Sequence, residues 1–173
     1  TARGYIEADV VIAAADYHHV EQKLLPPEHR QYSPDHWAGR RLAPATLLFF
    51  LGCNRRLPQL EHHTLFFDEP LDTHSAEIYD RPQWPSNPLF YASCPSRTDP
   101  SVAPAGHEGI TVLIPIAPGL QDLDSMRERY YGIVMDRLER YLGHPLRHHV
   151  IVKRSYGITD LTTDHNAYRG NAY

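Results

Sequence analysis

Apolar residues in this 173-residue chain fall into several short unbroken runs and one long stretch of helical period. The run "ATLLFFLGC", beginning at Ala45, is apolar throughout, which predicts a strand buried on both faces. "HTLFFD", "LFYASC", "GITVLIPIAP" and "HHVIVKRSY" are rich in β-branched and aromatic residues and are bounded by Pro, Gly, Asn or Asp. Each predicts a further strand. Pro115 lies inside "GITVLIPIAP" and has no N–H to offer a ladder, so that strand is expected at an edge or bulged. Near the start, Val10–Ala15 has the composition of another buried strand.

Helical period is clearest in "LDSMRERYYGIVMDRLERYLG". Met126, Tyr130, Ile133, Val134, Leu138, Tyr141 and Leu142 share one side, and Arg127, Glu128, Asp136, Glu139 and Arg140 take the other. Asp124 or Ser125 is placed to cap its start, and Gly143 with Pro145 to end it. A shorter helix follows Asp16, with Val20, Leu24 and Tyr17 on one face and Pro26-Pro27 as its stop. "SPDHWAGRR" supplies a Ser33 cap and Pro34 at the first helical position. "LDTHSAEIYD" carries a weaker helical pattern. Strands with few intervening helices predict an α+β fold, a largely antiparallel or mixed sheet covered by helices.

Composition narrows the functions. A chain that is 42% hydrophobic and 22% charged fits one soluble domain with a single core. Its formal charge of -4 makes no electrostatic case for nucleic acid. No apolar run approaches the ~20 residues of a membrane span. Two cysteines, Cys53 and Cys94, are too few for a disulfide framework and suit a reducing compartment. His18-His19, His62-His63 and His148-His149 are adjacent pairs whose side chains diverge on a strand, and no HExxH or CxxC accompanies them. They read as surface or satisfied histidines, and no metal is expected. Cys94 behaves as a small hydrophobe in an apolar strand, and no GxSxG is present.

"PSRTDPSVAPAGH" joins two of the predicted strands. Asp99 before Pro100 and Ser101 suits an Asx-type turn, the three prolines stiffen the loop, and Gly106 allows a positive φ. Arg97 is free to bind a carboxylate or to pair with Asp99. This is a structural loop before it is a catalytic one. The doublets Phe49-Phe50, Phe66-Phe67 and Phe90-Tyr91 each send one ring to either side of a strand. One side meets the helix; the other lines an apolar cavity or completes an ordinary two-faced core.

"ADVVIAAADYHHVEQKLL", "LLFFLGCNRRLPQLEHHTLFFD", "PSNPLFYASCPSRTDPSVAPAGHEGITVLIPIAP" and "YRGNAY" together resemble the phytoene desaturase (phytoene dehydrogenase) family of carotenoid flavoenzymes. "YASCPSRTDPSVAPAGHEG" is the most specific section. The resemblance implies the substrate-binding domain of an FAD-dependent oxidoreductase of the flavin amine-oxidase-like fold. Such an enzyme dehydrogenates a long polyene or isoprenoid hydrocarbon by hydride transfer to flavin. Carotenoid isomerases and retinol saturases share these motifs, and a stand-alone lipid-binding or interaction module is the alternative class. The dinucleotide fingerprint GxGxxG is absent from this sequence, so FAD is expected in a longer parent and not on this chain alone. Both ends look like cuts within a longer polypeptide. Residues 1–15 are expected as a strand segment of the flavin domain, 16–164 as the substrate-binding domain, and 165–173 as the start of the return crossing. The matching motifs imply Asp16, Gly170 and Asn171 near the flavin. Strand alternation selects Leu48, Phe50, Tyr91 and Ser93 for the substrate wall. The implied parent is cytoplasmic and peripheral at a membrane, because its substrate partitions into lipid.

Overall fold

Five strands, β1 (Ala45–Cys53), β2 (His63–Phe66), β3 (Phe90–Ser93), β4 (Glu108–Ile116) and β5 (Val150–Tyr156), pair into one sheet in the order β2-β3-β4-β1-β5. Every pairing is antiparallel. The computed structural model describes residues 4–173. Its helices are α1 (Tyr17–His19, running on as a π turn over Val20–Leu24), α2 (Pro34–Gly39), α3 (Leu71–Tyr79), α4 (Asp124–Leu142) and α5 (Ile158–His165). The class is α+β with an antiparallel sheet, as the spacing of apolar runs predicts.

The core lies on one side of the sheet. Leu47, Phe49 and Leu51 of β1 and Val112 and Ile114 of β4 point inward, and Tyr130, Val134 and Leu138 of α4 are buried in the same cluster. Phe66 stacks on Phe90 with centroids 4.2 Å apart, and Arg137 lays its guanidinium over Phe90 at 4.7 Å while binding Asp68 and the Pro88 carbonyl. Gly143 ends α4 at φ 74°, the left-handed conformation that glycine adopts without a Cβ penalty. Leu123, and neither Asp124 nor Ser125, occupies the N-cap; Asp124 lies within the first turn, where its charge favours the helix dipole.

Three expectations are corrected. β1 is not buried on both faces: Phe49 is 1% exposed and Phe50 39%, because β1 has the core on only one side. Residues 10–15 form no strand, and Val10, Val11 and Ile12 are exposed, since none of the five strands pairs with them. Of the segment 1–15 expected to belong to the flavin domain, residues 1–3 lie outside the described residues. The α1 helix buries Glu21 rather than Tyr17 or Leu24. Glu21 accepts hydrogen bonds from Trp37 Nε1 (2.7 Å) and from the N–H groups of Gln31 (2.7 Å) and Tyr32 (3.0 Å). Burial raises its pKa, but these donors outweigh burial and hold the carboxyl below its usual range.

Pro115 is neither at a sheet edge nor at a bulge. It sits in β4, between β3 and β1, opposite Thr46 and in unbroken register. The β3 ladder stops at Leu113, two residues short of it. Where a ladder bond is missing, the buried His74 imidazole bridges: Leu89 N–H donates to Nδ1 (3.0 Å) and Nε2 donates to the Pro115 carbonyl (2.8 Å). An imidazole thus joins the Leu89 N–H to the Pro115 carbonyl where the two strands make no direct bond.

The His74 bridge requires a neutral ring, and burial lowers its pKa against the opposing pull of the Pro115 hydrogen bond and Glu77. The unfolded chain therefore takes up a proton at the ordinary histidine pKa of about 6.5, where the folded ring resists it. Stability from this group is fully present above that pH and declines as pH falls below it. Urea unfolding between about pH 7.5 and pH 5.5 should show a larger loss for wild type than for His74→Gln. Equal losses would remove His74 as the cause.

Candidate functional site

Alternation along the strands turns a second set of side chains to the face opposite the core, and two rows of them cross it. One row runs Leu65–Tyr91–Leu113–Leu48–Tyr156; the next runs His63–Ser93–Thr111–Phe50–Arg154. Five strands at their usual spacing make each row about 19 Å long. Leu48, Phe50, Tyr91 and Ser93 are thereby brought together on one surface. Leu113 and Thr111 of β4 separate them, and the same alternation in "GITVLIPIAP" would have identified both. Leu65 is 64% exposed, and Tyr91, Leu113 and Leu48 are half-buried, so the apolar middle of the face is open. At one end Tyr91 Oη and His63 Nδ1 are 2.6 Å apart, and the His62 ring stacks on His63 at 4.2 Å. At the other end Tyr156 donates to Asp164 of α5 (2.9 Å) and its ring meets His165.

The loop between β3 and β4 is a scaffold centred on a residue that the sequence reading passed over. Asp99 is exposed and bonds only locally, accepting from Ser101 N–H (2.9 Å) and Ser101 Oγ (2.6 Å) in the expected Asx turn. Arg97 makes no ion pair with it, and its Nε is buried without a hydrogen-bond partner. Glu108 is the buried anchor, accepting from Ser96 Oγ and Leu57 N–H (3.4 Å) and forming an ion pair with Arg56 Nε (3.0 Å). Burial raises the thiol pKa of Cys94, and that of Cys53 to about 11, so both remain protonated and unreactive at neutral pH.

A cleft of about 820 Å³ opens where the first helices meet the end of the chain. Asp16 and Asn171 both line it. Asp16 caps α1 through His19 N–H (2.8 Å) and also accepts from Tyr168 N–H (3.1 Å), joining segments 152 residues apart. His18 stacks on Tyr168 at 3.8 Å, and Trp37 meets His18 edge-on. Burial lowers the His18 pKa, partly opposed by Asp16. Gly170 lies buried behind the wall at φ 69°, and a Cβ there would come within 2.7 Å of Ile158. Arg169 beside it also holds a positive φ of 55°, a costly conformation for a residue with a side chain. Asn171 Oδ1 is buried with no hydrogen-bond partner. Among the described residues no group of His, Cys, Asp and Glu is placed to hold a metal.

No protein-family model matches the chain. It is 40% identical over 164 residues to a carotenoid 3,4-desaturase of Haloarcula japonica, covering 95% of this chain and 33% of that protein. A phytoene desaturase of Phycomyces blakesleeanus is 32% identical over 144 residues, covering 80% of this chain and 24% of its own. A 4,4'-diapophytoene desaturase of a Methylomonas species is 28% identical over 176 residues, covering 97% and 34%. The chain thus spans between about a quarter and a third of these relatives' length.

Gly170→Ala tests the wall of the cleft. The positive φ and the approach to Ile158 should together cost about 1–3 kcal/mol in chemical unfolding. A change within about 0.5 kcal/mol would show that the turn relaxes freely.

Proposed function

Since the chain is related along nearly its whole length to carotenoid and phytoene desaturases, we propose that it is the substrate-binding part of an FAD-dependent oxidoreductase acting on a long polyene. The open apolar face carries this reading. Leu48, Phe50 and Leu113 offer a hydrocarbon dispersion contact and release of water, with no charge to match. That chemistry suits a substrate which has nothing to ionise.

The cleft suits the cofactor side. Asn171 Oδ1 is an unused buried acceptor, the His18–Tyr168 pair offers an aromatic wall, and Arg40 adds a cation. Asp16, Gly170 and Asn171 form or support this corner, and they are the residues we assign to holding the flavin together with a further domain. FAD bound there supplies the hydride acceptor. Tyr156 and His165 link the two places, since Tyr156 closes a row of the open face and His165 lines the cleft. In this reading 16–164 form the substrate-binding unit, and residues 1–15 and 165–173 connect it to the flavin domain. The exposed Val10, Val11 and Ile12 are then apolar residues that this domain covers. Substrate solubility draws the protein to a membrane surface; among the described residues no helix is long and apolar enough to cross one.

Flavin-loaded protein supplied with a carotenoid precursor should form a product with an additional conjugated double bond, followed by its absorption spectrum. Phe50→Asp should lower kcat/KM by roughly 10- to 100-fold by placing a charge on the apolar wall. Polyene binding with no oxidation and no flavin in the longer parent would instead identify a lipid-binding module.

A further inference from the structure

We propose that His63, Tyr91, Ser93 and Thr111 form a polar end to the apolar face, which takes a hydroxyl group on the far end of the polyene. This substrate class rests on the reading of the face given above. Register brings the four side chains together. His63 lies opposite Ser93 and Ser93 opposite Thr111, while Tyr91 stands two residues along β3 on the same face. Leu113 and Phe50 border them toward the middle of the sheet.

Much of their hydrogen-bonding capacity is unused. Ser93 and Thr111 are half-buried, and among the described residues neither hydroxyl has a hydrogen-bond partner. Tyr91 Oη makes one bond, to His63 Nδ1 at 2.6 Å, and keeps a lone pair free. The His63 ring is held by stacking on His62 at 4.2 Å, and its Nε2 is unengaged. Water satisfies such groups while the face is bare. A hydrocarbon lying over them displaces that water and offers no bond in return, so each stranded hydroxyl weakens binding by roughly 10-fold. A substrate hydroxyl donates and accepts, as these side chains do, and replaces what the water supplied. None of the four is Asp, Glu, Lys or Arg, so an ionised end group finds no counter-charge here.

The position of this corner suits binding and not chemistry. β3 lies three strand spacings from β5, about 14 Å, and it is Tyr156 at the β5 end that meets His165 of the cleft. A polyene held by its oxygen at β3 runs over Leu113 and Leu48 toward the cleft assigned to the flavin. Anchoring the far end thereby sets which carbon–carbon bond reaches the cofactor.

The experiment uses the flavin-loaded parent and two probes, lycopene and its derivative with a terminal hydroxyl. Kd is followed by fluorescence quenching and turnover by the absorption spectrum. Wild type should bind the hydroxylated probe roughly 10- to 100-fold more tightly. Ser93→Ala combined with Thr111→Val should bring the two Kd values within about three-fold. The same variant should bind lycopene as tightly as wild type or more tightly, because no hydroxyl is left stranded. Tyr91→Phe keeps the ring and should lower the preference about five-fold, which gives a second reading if the double variant does not fold. Equal affinities in wild type, a preference that survives these substitutions, or a parallel loss of both probes overturns the polar end. Wild-type protein that binds neither probe overturns the polyene face itself. A hydroxyl preference with no oxidation of any polyene overturns the desaturase reading and still supports the polar end.

Discussion

The register between β1 and β4 governs the molecule. Nine residues of each strand pair without a shift, from Ala45 opposite Ile116 to Cys53 opposite Glu108. A slip of one residue would turn Leu47, Phe49 and Leu51 outward and send Leu48 and Phe50 into α4. The core and the open face are therefore one decision. The same pairing places Glu108 at the strand start, where it organises the loop from β3, and aligns Tyr91 with Leu48 across the sheet.

Buried polar groups join what the ladder does not. Glu21 ties α1 to α2 through Trp37, Arg137 ties α4 to the segments flanking α3, and Glu108 holds the β3–β4 loop. Arg127 binds Asp122 (2.5 Å) and Asp160 (2.8 Å), fixing the start of α5 against the start of α4. Burial raises the Asp122 pKa, but Arg127 and Thr159 N–H hold it below the usual carboxylate range. Gly157 is pressed against this pair: a Cβ would lie 2.7 Å from Asp122 Oδ2. Through α5 the clamp orients Leu161 and His165 in the cleft.

Much of this was legible in the sequence because its signals are local. Strand runs, the Ser33 and Asp16 caps, the Asp99 turn, Gly143 and the divided aromatic doublets depend on neighbours within a few residues. Leu48, Phe50, Tyr91 and Ser93 fall on one face for the same reason. The failures depend on distant partners. Pro115 looked like an edge residue because the sequence does not show where β3 stops. Val10–Ala15 has strand composition, but composition supplies no partner. His63 was set aside with the other histidine pairs, since its contact with Tyr91 exists only after β2 and β3 align. Glu21, His74 and Glu108 are polar residues that burial turns into connectors, and their hydrogen-bond partners lie 10 to 51 residues away.

The bridge from Leu89 through His74 to Pro115 also constrains how the family of sequences around this one can change. Losing His74 first strands a buried N–H and a buried carbonyl; replacing Pro115 first adds an N–H on a side where the imidazole keeps β3 away. Positions 74 and 115 are thus coupled, and the cost of replacing one depends on the residue at the other.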